Sequence, residues 1–69
     1  MNANRRPLTT PGDLLRAALE KEQQAHDFYE QAILSCKIDM VRELLEKLKD
    51  EESRHVRLVR DMLTKIELG

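Results

Sequence analysis

The chain has 69 residues, 36% of them charged and 41% hydrophobic, and a formal net charge of −1. Its single cysteine, Cys36, rules out a disulfide scaffold, and twelve basic against thirteen acidic side chains give no general pull toward nucleic acid or an anionic membrane surface. A chain this short buries too little surface to offset the entropy of ordering it, so metal binding, oligomerisation or both must supply the difference.

Residues 1–9 are polar and without an apolar signal core, and read as a disordered leader before one domain over 10–69. Thr10-Pro11-Gly12-Asp13 is a helix start: the Thr10 hydroxyl can cap, Pro11 stands where its missing N–H costs nothing, and Asp13 takes the capping-box position. No Pro or Gly follows until Gly69, and the spacing predicts two helices, about 13–35 and 39–67. The break falls at Cys36-Lys37-Ile38, with Asp39 as the second cap. No segment is an apolar run long enough to span a bilayer. The expected fold is all-α, an antiparallel hairpin that dimerises into a four-helix bundle.

The second helix carries the clearest period. Ile38, Val41, Leu45, Leu48, Glu52, His55, Val59, Met62 and Ile66 advance by alternating steps of three and four, the heptad pattern of a bundle. Seven of the nine seats are aliphatic; Glu52 and His55 are the others. On the first helix Leu15, Leu19, Glu22, His26, Tyr29, Ile33 and Cys36 form one seam, and Ala18, Ala25 and Ala32 a slightly rotated one. Either choice puts Glu22 and Tyr29 inside. A buried, unpaired carboxylate costs several kcal/mol, and a metal is the most economical compensation.

Glu52 and His55 form a Glu-x-x-His step, which on a helix turns both side chains to one face. Bundle di-iron sites combine a Glu from each of two helices with a Glu-x-x-His from each of two others, and this chain supplies half of that set. Glu22 and Glu52 are equidistant from the turn, so an antiparallel hairpin brings them to one height. Two chains would supply four carboxylates and two imidazoles, a donor set that favours iron or manganese over a closed, thiolate-rich zinc site. The competing reading is a metal-free structural or adaptor coiled-coil hairpin whose Glu and His point to solvent.

Glu22-Gln23-Gln24-Ala25-His26-Asp27-Phe28-Tyr29, followed by Asp50-Glu51-Glu52-Ser53-Arg54-His55, resembles the ferritin-like superfamily, especially rubrerythrins and encapsulated ferritins. The likeness covers most of residues 14–64. It implies a di-iron centre with two irons per homodimer and ferroxidase activity, in which O₂ takes the electrons of Fe²⁺ and Fe³⁺ passes on to storage or detoxification. It implies Glu22, Glu52 and His55 as ligands and Tyr29 as a group that hydrogen-bonds a ligand carboxylate. Further implications are a higher oligomer of dimers, a cytoplasmic location and an encapsulin shell as partner, a protein nanocompartment. No shell-targeting tail is seen up to Gly69, and Lys21 and Gln24 stand where that family places extra acids along an iron path. A rubrerythrin-like peroxide-reducing protein is the alternative; one cysteine cannot build the four-cysteine domain those proteins add.

His26 follows Glu22 by one helical turn and is expected at the edge of the seam. Cys36 reads as a small buried hydrophobe, and Met40 and Met62 as packing residues. Arg42, Lys47, Arg54, Arg57 and Arg60 alternate with Glu43, Glu46, Asp50, Glu51 and Asp61, which predicts a solvated face of local ion pairs rather than a nucleic-acid surface.

Overall fold

The computed structural model describes residues 10–68, so the expected leader lies outside the described residues. Two antiparallel helices make up the whole of it: α1 (Pro11–Ser35) and α2 (Asp39–Leu68). The Thr10 cap forms as expected, with the Asp13 N–H donating to Thr10 Oγ1 at 3.0 Å and Pro11 in the first turn. Helix α1 therefore begins two residues before the expected boundary. At the second start the expectation fails in detail. The Arg42 N–H donates to the Ile38 carbonyl at 2.9 Å, which makes Ile38 the residue at the cap. Asp39 is already helical, and its carboxylate pairs with Arg42 Nη2 at 2.5 Å instead of capping.

The hairpin is a single layer, 11 Å deep in its thinnest direction. Its open end is tied by Arg16, which reaches Glu67 at 2.6 Å and Asp13 at 3.3 Å. No hydrophobic side chain among the described residues is buried, and Gly12 is the one buried residue. Two helices side by side can shield only the stripe where they touch, so this layer has no core of its own.

The stripe of α2 that meets α1 runs through Leu45, Glu52, Val56, Val59 and Leu63, all half-buried. The heptad seats were expected to form one seam; they split instead. Leu45, Glu52 and Val59 serve the intrachain contact, whereas Val41, Met62 and Ile66 stay exposed on the shoulder beside it. An apolar sector this wide can serve two neighbours at once, and the hairpin provides only one. At 100° per residue, Leu44, Leu48, His55 and Leu58 share that shoulder. Across the seam, on the same side of the layer, stand Leu14, Ala18, Ala25 and Phe28. Leu44 is 55% exposed, Leu58 60% and Phe28 64%. The opposite side carries Gln23, Asp27, Glu30, Ser53, Arg57 and Arg60. One face of the layer is apolar and the other polar.

Three packing expectations need correction within the single chain. Cys36 is half-exposed, its thiol donating to the Ile38 carbonyl at 3.5 Å, because it sits in the connection and not in the seam. Met40 is 77% exposed, and Met62 lies on the open apolar shoulder.

Candidate metal centre

Glu22, Glu52 and His55 come together across the seam. His55 Nδ1 lies 3.0 Å from Glu22 Oε2 and 3.8 Å from Glu52 Oε2, and one ligand atom from each of the three residues falls within 4.8 Å of the others. The reasons are local. Glu52 and His55 are one turn apart on α2, and the short connection sets Glu22 level with them. All three are half-buried, and the turn that carries His55 toward the shoulder opens the cluster onto the apolar face.

The electrostatics fit a shared cation. Glu52 Oε2 is buried and has no hydrogen-bond partner. A hydrogen bond shared with Glu22 raises the Glu52 pKa, and burial and the Glu22 charge push the same way. That same bond holds the Glu22 pKa down, aided by the hydrogen bond and charge of His55 and opposed by burial. Of the two carboxylates, Glu52 thus holds a proton more tightly than Glu22 does. A metal ion would neutralise both groups, and ligands of this type bind only after deprotonation. One nitrogen and two carboxylates per chain suit a hard or borderline divalent ion with octahedral leanings, such as Fe²⁺ or Mn²⁺.

Tyr29 is half-buried in the seam, its ring edge-on to Phe28 with centroids 5.4 Å apart. Among the described residues its hydroxyl bonds to no carboxylate. His26 stands at the seam edge as expected, but it turns toward the polar side, with Nδ1 3.3 Å from Asp27 Oδ1. His26, Asp27 and Glu30 form a second cluster of donor atoms within 4.8 Å, which the heptad pattern does not single out. The signal lies in the spacing, because residues 26, 27 and 30 run along one flank of a helix.

Of the local ion pairs expected along α2, only that of Arg42 forms among the described residues. Arg42 pairs with Asp39, while Arg54, Arg57, Arg60 and Lys47 make no ion pair among the described residues. No described helix is long and apolar enough to cross a membrane. Comparison with known protein families, characterised proteins and solved structures finds no match for this chain.

Proposed function

We propose that the chain is an iron-binding ferroxidase whose di-iron site forms between two copies packed through their apolar faces into a four-helix bundle. The observation that carries the reading is the Glu52 carboxylate oxygen, buried and unpaired at 3.8 Å from His55 in a cluster that opens onto an otherwise uncovered apolar face. A small hairpin with no buried hydrophobic side chain does not keep a carboxylate in that position without something to compensate it. Two copies would give four carboxylates and two imidazoles around two irons, Glu22 and Glu52 bridging or terminal and His55 the nitrogen donor. Each Fe²⁺ would give one electron. Two Fe²⁺ held there would together reduce one O₂, which would take two protons from solvent and leave as hydrogen peroxide, and Fe³⁺ would be the product passed on. The protein's part is to hold two reducing ions close together in a pocket of fixed negative charge with a position open to O₂.

Anaerobic Fe²⁺ titration of the metal-free protein, followed by sedimentation and then by air with optical monitoring, tests this. Expected are two irons per dimer, metal-promoted dimerisation and a ferric absorption band, all lost in Glu52→Ala. Full iron stoichiometry and oxidation rate in Glu52→Ala would end the proposal, and an unchanged dimer without binding would make the chain a metal-free scaffold.

A further inference from the structure

The apolar face of the layer carries fixed charge at only two places outside the metal cluster. At 100° per residue, the sector from the seam out to Phe28 on α1 and Leu58 on α2 holds Lys21 on the first helix and Glu51 on the second. No other Lys, Arg, Asp or Glu among the described residues falls in it. Both side chains are exposed, and neither makes an ion pair among the described residues. Because Glu22 stands level with Glu52 and His55, Lys21 and Glu51 lie within about one helical turn of the same height. The two helices also differ in bulk on this face. Helix α1 presents Ala18, Ala25 and Ala32 beside Leu14 and Phe28, whereas α2 presents Leu44, Leu48, Leu58 and Met62.

Two face-to-face dimers would bring the metal clusters together, because Glu22, Glu52 and His55 stand near the middle of their helices. With the two-fold axis across the helices, each helix packs on its own copy and the connections lie at opposite ends. Lys21 then meets Lys21 and Glu51 meets Glu51, while alanine packs on alanine and leucine on leucine. With the axis along the helices, α1 packs on the α2 of the second copy and both connections lie at one end. Lys21 then faces Glu51 twice over, and each alanine-lined wall receives a wall of Leu and Met. Like charges set against each other across an interface are costly, whereas opposite ones fix its register. Small residues facing large ones also fill both contacts evenly.

We infer that a second copy docks α1 over α2, with Lys21 of each chain against Glu51 of the other and both connections at the same end of the bundle. The inference rests on the dimer of the proposed function, not on its metal or its chemistry. It sets Glu22 of one chain opposite the Glu52–His55 turn of the other, so each metal ion is reached from both copies.

Cys36, the only cysteine and half-exposed in the connection, gives a direct reading of the geometry. A nitroxide is attached to Cys36 of the full chain, and diamagnetic Zn²⁺ is added to hold the dimer. The pulsed-dipolar distance should fall below about 25 Å, since packed helices stand about 8–10 Å apart. Connections at opposite ends would give about 40 Å, from a rise of about 1.5 Å per residue between Glu22 and Cys36 on either side of the axis, and would overturn the docking. In sedimentation, K21E and E51K should each weaken association about fivefold or more, and K21E/E51K together should restore it to within about threefold. Single substitutions without effect, as pairing of each helix with its own copy requires, would overturn it too. So would single substitutions acting in opposite directions, as a field felt only by bound metal would produce. A long Cys36 distance in a dimer that takes two irons ends this geometry and leaves the ferroxidase reading standing. A short distance without iron oxidation ends that reading and supports the geometry, and a chain that stays monomeric with Zn²⁺ ends both.

Discussion

Replacing Glu52 by glutamine separates what the carboxylate costs the metal-free protein from what it provides to metal. The Glu52 pKa is raised in the fold, chiefly by the hydrogen bond it shares with Glu22, so its contribution is most favourable below the ordinary carboxylate value of 4.5 and falls as pH rises through the raised value. The Glu22 pKa is lowered, chiefly by the same bond, so its contribution is present above 4.5 and is lost as pH falls through the lowered value. The contribution of this pair to metal-free stability should therefore be greatest near the ordinary carboxylate value and smaller toward neutrality. The amide introduced by Glu52→Gln would donate a hydrogen to Glu22 in place of the Glu52 proton and cannot ionise, so the decline above the peak should vanish. Leaving a buried polar group unpaired costs about 1–3 kcal/mol. The Glu52 side chain is 18% exposed, so the gain at pH 7 belongs at the lower end, about 1–2 kcal/mol. Urea unfolding with chelator at pH 5 and pH 7 measures it directly. With metal at a hundred times its Kd, the unsubstituted protein should gain about 2.7 kcal/mol and Glu52→Gln almost nothing. A metal-free Glu52→Gln protein less stable at pH 7, or one that keeps the metal-induced gain, would refute the reasoning.

Three further outcomes follow from the same geometry. Leu58→Glu changes a residue 60% exposed in the hairpin, so it should be harmless to a lone chain, yet it should shift the sedimenting species from dimer toward monomer by removing about 1–2 kcal/mol of burial per chain, the still-exposed share of a buried leucine's contribution. His55→Leu should abolish iron oxidation while leaving the metal-free protein as stable or more so, because it extends the aliphatic stripe; a lower urea midpoint with chelator would contradict this. Thr10→Ala removes the acceptor at 3.0 Å from the Asp13 N–H and should cost about 1 kcal/mol, seen as a lower thermal midpoint with metal binding unchanged.

The hairpin was legible because its signals are local and strong: the Thr10–Pro11 start, two long stretches free of Gly and Pro, and a heptad period over α2. The height match of Glu22 with Glu52 was legible for the same reason, since a short connection leaves an antiparallel pair one register. What could not be read was how the apolar sector divides between the seam and the open face. A period gives the angular position of Val41, His55 and Met62 only to within one residue's rotation, and that rotation decides between the seam and the open shoulder. That Arg57 and Arg60 make no ion pair among the described residues was hidden too. Interleaved acids make ion pairs available at i,i+3 and i,i+4, but exposed pairs gain so little that the side chains are free to point elsewhere.

The open apolar face and the unpaired carboxylate are two halves of one physical problem. Covering the face with a second copy removes Leu44, Leu58 and Met62 from water, but it also encloses Glu22, Glu52 and His55 more deeply, which raises the cost of their charge. Filling the cluster with metal first, in an open hairpin, gains only three ligands per chain and leaves the ion largely hydrated. Neither step is favourable far without the other. Metal affinity and dimer affinity should therefore rise together by a common factor, and a dimer-weakening change such as Leu58→Glu, some distance from any ligand, should weaken iron binding as much as it weakens association. Equal iron affinity in Leu58→Glu and the unsubstituted chain would mean that each hairpin binds metal alone, and the two halves would no longer belong to one site.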